Sequence, residues 1–185
     1  GQSPRKSQSE QLQPPPATKN PGTVTFCLEL SNDSDEPITR QLKYYLPKEV
    51  LREHIVNTGK LNLTYDYAKA QYFVEAKDLV LNPHAIEKFF IVIKDAWVID
   101  HQGLEETKMH AASMVSQLEA SQYFNSGKFL ADKIYSNIHT ILSSQQEKQD
   151  TVEIHIARYR KNLERYDQVR QDVARLERLL IQAGG

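Results

Sequence analysis

Large apolar residues recur every seven positions through the last third of the chain. The repeat consists of Val152, Tyr159, Tyr166, Val173 and Leu180. Ile156 and Leu163 lie four positions after the early repeat residues, whereas Val169 and Leu176 lie three positions after the later ones. A straight α-helix drifts in this direction against a seven-residue repeat. The pattern therefore predicts one helix over about residues 148–182, which at 1.5 Å per residue is roughly 50 Å long.

A helix of this length needs a second surface to cover its apolar stripe. The preceding segment carries a matching stripe, made of Leu104, Ala111, Val115 and Leu118, followed by Leu130, Ile134, Ile138 and Ile141. These residues predict a helix from Gln102 to about Leu142, kinked near residues 125–127, and a chain reversal within the polar residues 143–150. We therefore expect residues 101–185 to form a long antiparallel α-helical hairpin, coiled-coil-like, with the two stripes as its helical seam.

Residues 23–100 have the pattern of short β-strands. Val24, Phe26, Leu28 and Leu30 alternate with more polar residues, which is typical of a half-buried strand. Further strands are predicted over residues 38–46, 61–65, 71–75, 78–81 and 89–99, the last being the longest, with a short helix or turn over 47–56. The segment therefore predicts a small antiparallel β-sandwich, and the whole chain an α+β fold.

Three stretches of this segment resemble immunoglobulin-like modules of prokaryotic surface proteins. They are Thr23–Leu30 with the polar turn after it, Leu42–Pro47, and Asn82–Glu87 followed by Phe90–Val92. The resemblance covers residues 23–100 and implies an immunoglobulin-like β-sandwich. The cysteine pair of antibody domains is absent, because Cys27 is the only cysteine in the chain. A likeness of fold carries no function with it.

Residues 1–22 are rich in Pro, Gln and Ser and include Pro14-Pro15-Pro16. Such a composition offers little apolar surface to bury, so we expect an extended tail that acts as a tether or clamp in an assembly. The three expected parts are therefore the tail at 1–22, the β-sandwich at 23–100 and the helical hairpin at 101–185.

The balance of charges excludes several classes of function. The chain has 23 basic and 24 acidic residues and a formal net charge of −1. A nucleic-acid-binding protein normally has a clear basic excess, so we expect no nucleic-acid partner. No apolar run approaches the roughly 20 residues that a transmembrane helix needs. The single cysteine leaves the compartment open, and we favour a secreted or cell-surface location over the cytoplasm.

The sequence lacks the usual signatures of catalytic and metal sites. None of the six histidines has the spacing of a helical metal pair, and His155 near the seam is better explained as a packed side chain. Neither a glycine-rich phosphate loop nor a serine nucleophile elbow is present. The acidic residues Asp33, Asp35 and Glu36 lack the ligand spacing of a calcium loop. We therefore expect no catalytic residue, no cofactor, no metal and no small-molecule substrate.

Aromatic residues come in doublets or near neighbours within the β segment. Adjacent residues of a strand point to opposite faces, so each doublet places one ring in the core and one outside. Outward tyrosine is favoured in protein interfaces, which makes Tyr45, Tyr67 and Tyr72 candidate interface residues.

Two hypotheses follow for the function. The first is a non-catalytic structural or assembly protein that forms a homo-oligomer or binds other protein subunits in a cell envelope or an extracellular assembly. The alternative is a ligand- or carbohydrate-binding module carried on a helical stalk. A mass measurement in solution distinguishes them, since stable oligomers favour the first hypothesis and a monomer favours the second.

Overall fold

A computed structural model describes residues 21–147 and 151–184. The fold is α+β, with two small antiparallel sheets followed by three helices. The chain divides into two compact units between Trp97 and Val98, which we call the β unit and the helical unit. Apart from Pro21 and Gly22, the expected tail lies outside the described residues.

The β unit contains two three-stranded sheets. Its strands are β1 (Thr23–Ser31), β2 (Ile38–Tyr45), β3 (Ile55–Asn57), β4 (Asn62–Asp66), β5 (Gln71–Leu81) and β6 (Ile86–Lys94). Sheet A has the strand order β1-β6-β3 and sheet B the order β2-β5-β4. All four pairings are antiparallel. In β1 the side chains at even positions are more buried than those at odd positions, as the alternation predicted.

Aromatic contacts join the two sheets around Phe26 of β1. The Phe26 ring lies 6.3 Å from that of Tyr44 on β2 and 6.1 Å from that of Trp97. Trp97 is only 1% exposed, and its indole N–H donates to Glu49 at 3.1 Å. A buried indole needs such a partner for its donor. The only tryptophan of the chain therefore reports on the core of the β unit.

Two strand predictions were wrong. The predicted strands 71–75 and 78–81 form one strand, β5. Asp78 takes a left-handed conformation with φ of 56°, and the register with β2 shifts between Arg40 and Leu42, but the pairing continues on both sides of the shift. Aspartate tolerates that conformation, so the bulge does not end the strand. The strand predicted over 89–99 as the longest is β6, which runs from Ile86 to Lys94 and is shorter than β5. It ends at Lys94, where the Asp95 carboxylate accepts from the Trp97 N–H at 2.9 Å and turns the chain.

The helical unit contains three helices where a two-helix hairpin was predicted. They are α1 (His101–Gln117), α2 (Phe124–Gln146) and α3 (Val152–Gln182). The predicted continuous helix is broken between Leu118 and Tyr123. There the Ser121 hydroxyl donates to the Leu118 carbonyl at 2.8 Å and accepts from the Tyr123 N–H at 3.1 Å. Serine side chains compete with the helical backbone in this way.

Contacts between α2 and α3 show that these helices run in opposite directions. Lys133 lies 3.4 Å from Asp172, Ser144 lies 3.4 Å from Asn162, and Glu147 lies 3.0 Å from Arg158. Residues further along α2 thus meet residues earlier in α3. The first helix also contacts α3, where His110 lies 3.4 Å from Glu177. The third helix therefore has two neighbours within its unit.

Gly127 permits a close approach in the first turn of α2. A Cβ at this position would lie 2.6 Å from Cδ1 of Leu118 and 3.3 Å from Cδ1 of Leu176. Both leucines are fully buried. The sequence pattern pointed to a kink at this glycine, whereas the glycine lies inside α2 and the break precedes it.

We expect Gly127→Ala to destabilise the helical unit even though alanine is the better helix former. Cδ1 of the buried Leu118 has to shift to admit the new Cβ, and such overpacking costs about 1–3 kcal/mol, against a propensity gain of about 1 kcal/mol. Urea unfolding followed by ellipticity at 222 nm measures the difference. The exposed neighbour Ser126 provides the control, since Ser126→Ala should be neutral or slightly stabilising. Equal stability of the two variants would contradict the close approach.

Candidate functional site

An aromatic cluster covered by two lysines lies on the outer face of sheet B. The rings of Tyr45 and Phe73 are 5.3 Å apart. The Lys43 ammonium lies 4.4 Å from the Phe73 ring centroid, and the Lys69 ammonium lies 4.1 Å from the Tyr45 centroid. These cation–π contacts hold positive charge above both rings. Phe73 is only 8% exposed and Tyr45 is half-buried, so the cluster presents mainly cationic groups, which suit an acidic protein surface.

The Tyr45 hydroxyl connects this cluster to the β4–β5 turn. It donates to Oδ2 of Asp66 at 2.7 Å, and the other oxygen of Asp66 accepts from the N–H groups of Ala68 and Lys69. The Tyr45 hydrogen bond, followed by the Lys69 N–H, lowers the pKa of the half-buried Asp66 carboxyl. The tyrosine therefore anchors the turn as well as providing surface.

We expect Tyr45→Phe to raise the pKa of Asp66 toward its ordinary value, because the main group that stabilises the carboxylate is lost. A carboxyl whose pKa is lower in the folded than in the unfolded state stabilises the fold at pH values above its unfolded-state pKa. That stabilisation is lost as the pH falls through the folded-state pKa. Titration of the Asp66 carboxyl carbon by NMR measures the shift. Tyr67→Phe is the control. An unchanged Asp66 titration in the Tyr45 variant would exclude the hydrogen bond.

The three predicted interface tyrosines lie around this turn but differ in exposure. Tyr67 is 88% exposed, whereas Tyr45 and Tyr72 are half-buried. The Tyr65 ring connects two of them, since it lies 4.9 Å from Tyr67 and 4.8 Å from Tyr72. Only Tyr67 offers most of its ring to a partner. Phe73 belongs to one of the predicted aromatic doublets but was not a candidate interface residue, and the lysine cover was not predicted, because both contacts depend on strand pairing.

The structure places every predicted seam residue in a buried or half-buried position. The buried ones are Leu104, Ala111, Leu118, Ile134, Ile138, Ile141, Ile156, Tyr159, Val169 and Leu176, and the half-buried ones are Val115, Leu130, Val152, Leu163, Tyr166, Val173 and Leu180. Burial raises the pKa of the Tyr166 phenol despite the nearby Arg170. The hydrophobic stripes thus face the interior of the helical unit.

Two polar residues of α3 outside the predicted seam are also buried. Asp172 is 0% exposed and Asn162 is 1% exposed. Oδ1 of Asp172 accepts from Gln168 at 3.1 Å, Arg175 at 3.3 Å and Lys133 at 3.4 Å. Oδ2 of Asp172 is buried without a hydrogen-bond partner among the described residues. This carboxylate links α2 to α3 and holds Arg175 in place.

Arg175 also lines an open groove between the start of α2 and the end of α3. The groove has a volume of about 590 Å³ and is lined by Asn125, Ser126, Phe129, Leu130, Arg175, Arg178, Leu179 and Gln182. Phe129 is 66% exposed. Two guanidinium groups beside an exposed ring and two amides provide donors for an anionic or richly hydroxylated ligand.

Metal-binding clusters and membrane-spanning helices are absent from the described parts of the chain. Within residues 21–147 and 151–184, no three His, Cys, Asp or Glu side chains are placed to share a metal ion. No helix in the same ranges is long and apolar enough to cross a membrane. His155 is buried on α3.

Comparison of the chain with protein-family models, with curated proteins and with solved structures finds no match.

Proposed function

We propose that this protein is a non-catalytic assembly protein that associates with further copies of itself or with other protein subunits. The proposal rests on the outer face of sheet A, where large apolar side chains remain in solvent. Ile86 is 63% exposed, Phe90 53% and Val56 53%. Ile86 and Phe90 lie on the same face of β6, and Val56 belongs to the adjacent strand. Large apolar side chains exposed on one face of a sheet favour an interaction site there, although the exposed Lys88 lies between Ile86 and Phe90.

The proposal includes a more detailed architecture than an α+β fold with two sheets and three helices. The Phe26–Tyr44 contact between the sheets supports an immunoglobulin-like sandwich in the β unit. The opposite direction of α2 and α3 supports an antiparallel, coiled-coil-like hairpin, with α1 as an added helix. The resemblance to modules of surface proteins favours a cell envelope or an extracellular assembly. Together these features suit a scaffold component with interaction surface on its β unit.

Size-exclusion chromatography with light scattering tests the proposal on the full chain. The native protein should form an oligomer, and Phe90→Asp should dissociate it, because an ionised carboxylate resists burial in an apolar interface. Lys94→Asp is the control, since Lys94 is exposed at the end of the same strand. A native protein that stays monomeric at high concentration would rule out self-association. Equal effects of the two substitutions would remove the role of the apolar face.

The groove of the helical unit favours a second candidate function, ligand binding. Its arginines and exposed phenylalanine suit a carbohydrate that carries anionic groups. Titration with a sulfated disaccharide, followed by NMR, should shift signals of Phe129 and Arg178, and Arg178→Ala should weaken the binding. An unsulfated disaccharide with equal affinity, or no shift at all, would exclude this function for the groove.

A further inference from the structure

Four strands form the edges of the two sheets, and three of them carry features that discourage pairing with another chain. Strand β3 has only three residues and an irregular register, β2 is interrupted by a shift between Arg40 and Leu42, and β4 has five residues and ends at Asp66. Short length, bulges and charge are the common ways of protecting an edge strand.

The remaining edge strand, β1, has none of these features. It runs for nine residues, its register with β6 is continuous from Thr23 to Ser31, and it contains no Pro, Lys or Arg. Among the described residues, no strand pairs with its other edge. A long regular edge of this kind is a template for a further strand.

The hydrogen bonds at the two ends of β1 show which residues present their backbone to this open edge. The Gly22 carbonyl accepts from Asp95 at 2.7 Å, and the Asn32 N–H donates to Ala85 at 2.9 Å. Backbone direction alternates along an antiparallel pair, so even-numbered residues of β1 turn toward β6. The outward groups therefore belong to the odd-numbered residues, which are Thr23, Thr25, Cys27, Glu29 and Ser31.

A second copy of β1 fits this edge in an antiparallel arrangement centred on Cys27. Full overlap places Thr23 opposite Ser31, and Thr25 opposite Glu29, with Cys27 opposite its equivalent. All of these residues present outward backbone groups, as the hydrogen-bonded pairs of an antiparallel ladder require. The only charged residue, Glu29, faces a threonine, so no like charges are opposed. Even-numbered apolar residues meet on the inner face.

The outer face adds a second, apolar contribution to the same contact. Cys27 is exposed and its partner on β6 is Phe90, which is 53% exposed. Pairing across the two-fold axis creates one row that runs from Phe90 through both cysteines to the second Phe90. The exposed apolar face of sheet A then continues from one copy to the next.

We propose that two copies of this protein pair through the open edge of β1, in antiparallel register about Cys27, and join their A sheets into one six-stranded sheet. The inference rests on the proposed self-association and identifies its interface. The occupant of the edge is a second copy because this overlap opposes no like charges and brings the exposed Cys27 and Phe90 side chains of both copies into one apolar row.

Disulfide formation at Cys27 tests the register directly. Hydrogen-bonded pairs have Cα atoms about 5.5 Å apart, within the range that a disulfide spans. Mild oxidation should therefore yield a covalent dimer. In the control, Cys27→Ser combined with Thr25→Cys, the two thiols would lie four residues apart along the strand, about 13 Å. That control should crosslink far less. Equal crosslinking in both proteins, or none in either, would overturn the proposed register.

Two substitutions test the edge without depending on the thiol. Thr25→Pro removes an N–H that faces the open edge and leaves the pairing with β6 intact, since Thr25 does not bond to β6 in this scheme. Cys27→Lys opposes two like charges and remains available if the proline variant fails to fold. Each change occurs twice in the symmetric dimer, so the dissociation constant should rise about tenfold or more. Thr39→Lys on another edge strand, β2, should leave the dissociation constant unchanged.

The outcomes separate this inference from the proposed function. Light scattering that shows unchanged oligomers for both β1 variants would overturn the β1 interface while self-association stands. A native protein that is monomeric at high concentration would overturn both. A monomer that binds a foreign extended peptide along β1 would assign a different occupant to the edge and would overturn pairing with a second copy.

Discussion

Asn32→Asp should destabilise the β unit by about 3–5 kcal/mol, although it exchanges only an amide for a carboxylate of the same shape. The Asn32 side chain is 1% exposed. Its amide nitrogen donates to the carbonyls of Glu36 at 2.8 Å, Asn82 at 3.0 Å and Leu81 at 3.1 Å. A carboxylate at the same place would direct negative charge at three carbonyl oxygens and donate to none.

Unfolding in urea followed by Trp97 fluorescence measures this loss, because that buried indole belongs to the same unit. Asn82→Asp makes the same chemical change on an exposed side chain of the turn that Asn32 binds. It should shift stability by about 0.5 kcal/mol or less. Acid should partly restore the Asn32 variant, because protonation gives the introduced carboxyl a donor. Equal losses for both variants would contradict the bridging role of Asn32.

Periodicity was enough to predict which faces of the regular elements are buried. The even-numbered residues of β1 are more buried than the odd-numbered ones, and the predicted seam residues of α3 are buried or half-buried. Burial on one face imposes a period of two on a strand and 3.6 on a helix, so these signals survive without knowledge of the fold. The burial of a side chain was therefore predictable where it depends only on the periodicity of its own strand or helix.

The contacts of Asn32 and the open edge of β1 could not be predicted from the sequence, because they depend on the order of the strands. Asn32 belongs to a polar turn, and only the pairing of β1 with β6 brings that turn to the carbonyls after β5. The open edge of β1 likewise follows from the order β1-β6-β3 and from nothing local. Such contacts join residues far apart in sequence, where local propensity carries no information.

The additional helix α1 explains why polar residues of α3 are buried. A hairpin covers one seam of each helix, so Asn162 and Asp172 would lie at its solvated flanks. Because α1 and α2 both contact α3, a wider arc of its surface is covered, and these two residues fall within it. The break that creates α1 depends on the side-chain bonds of Ser121, for which the sequence shows no strong signal.

Val169→Asp should destabilise the helical unit by at least about 3 kcal/mol, because it loses apolar packing and places a carboxylate without a partner at a fully buried position of α3. Gln171→Asp is the matched control on an exposed position of the same helix. There the new charge lies four residues from both Asp167 and Arg175, so the repulsion and attraction nearly cancel. Urea unfolding followed at 222 nm compares the two. Similar midpoints would mean that this part of the helical seam does not face the interior, and the packing of α3 against α1 and α2 would have to be abandoned.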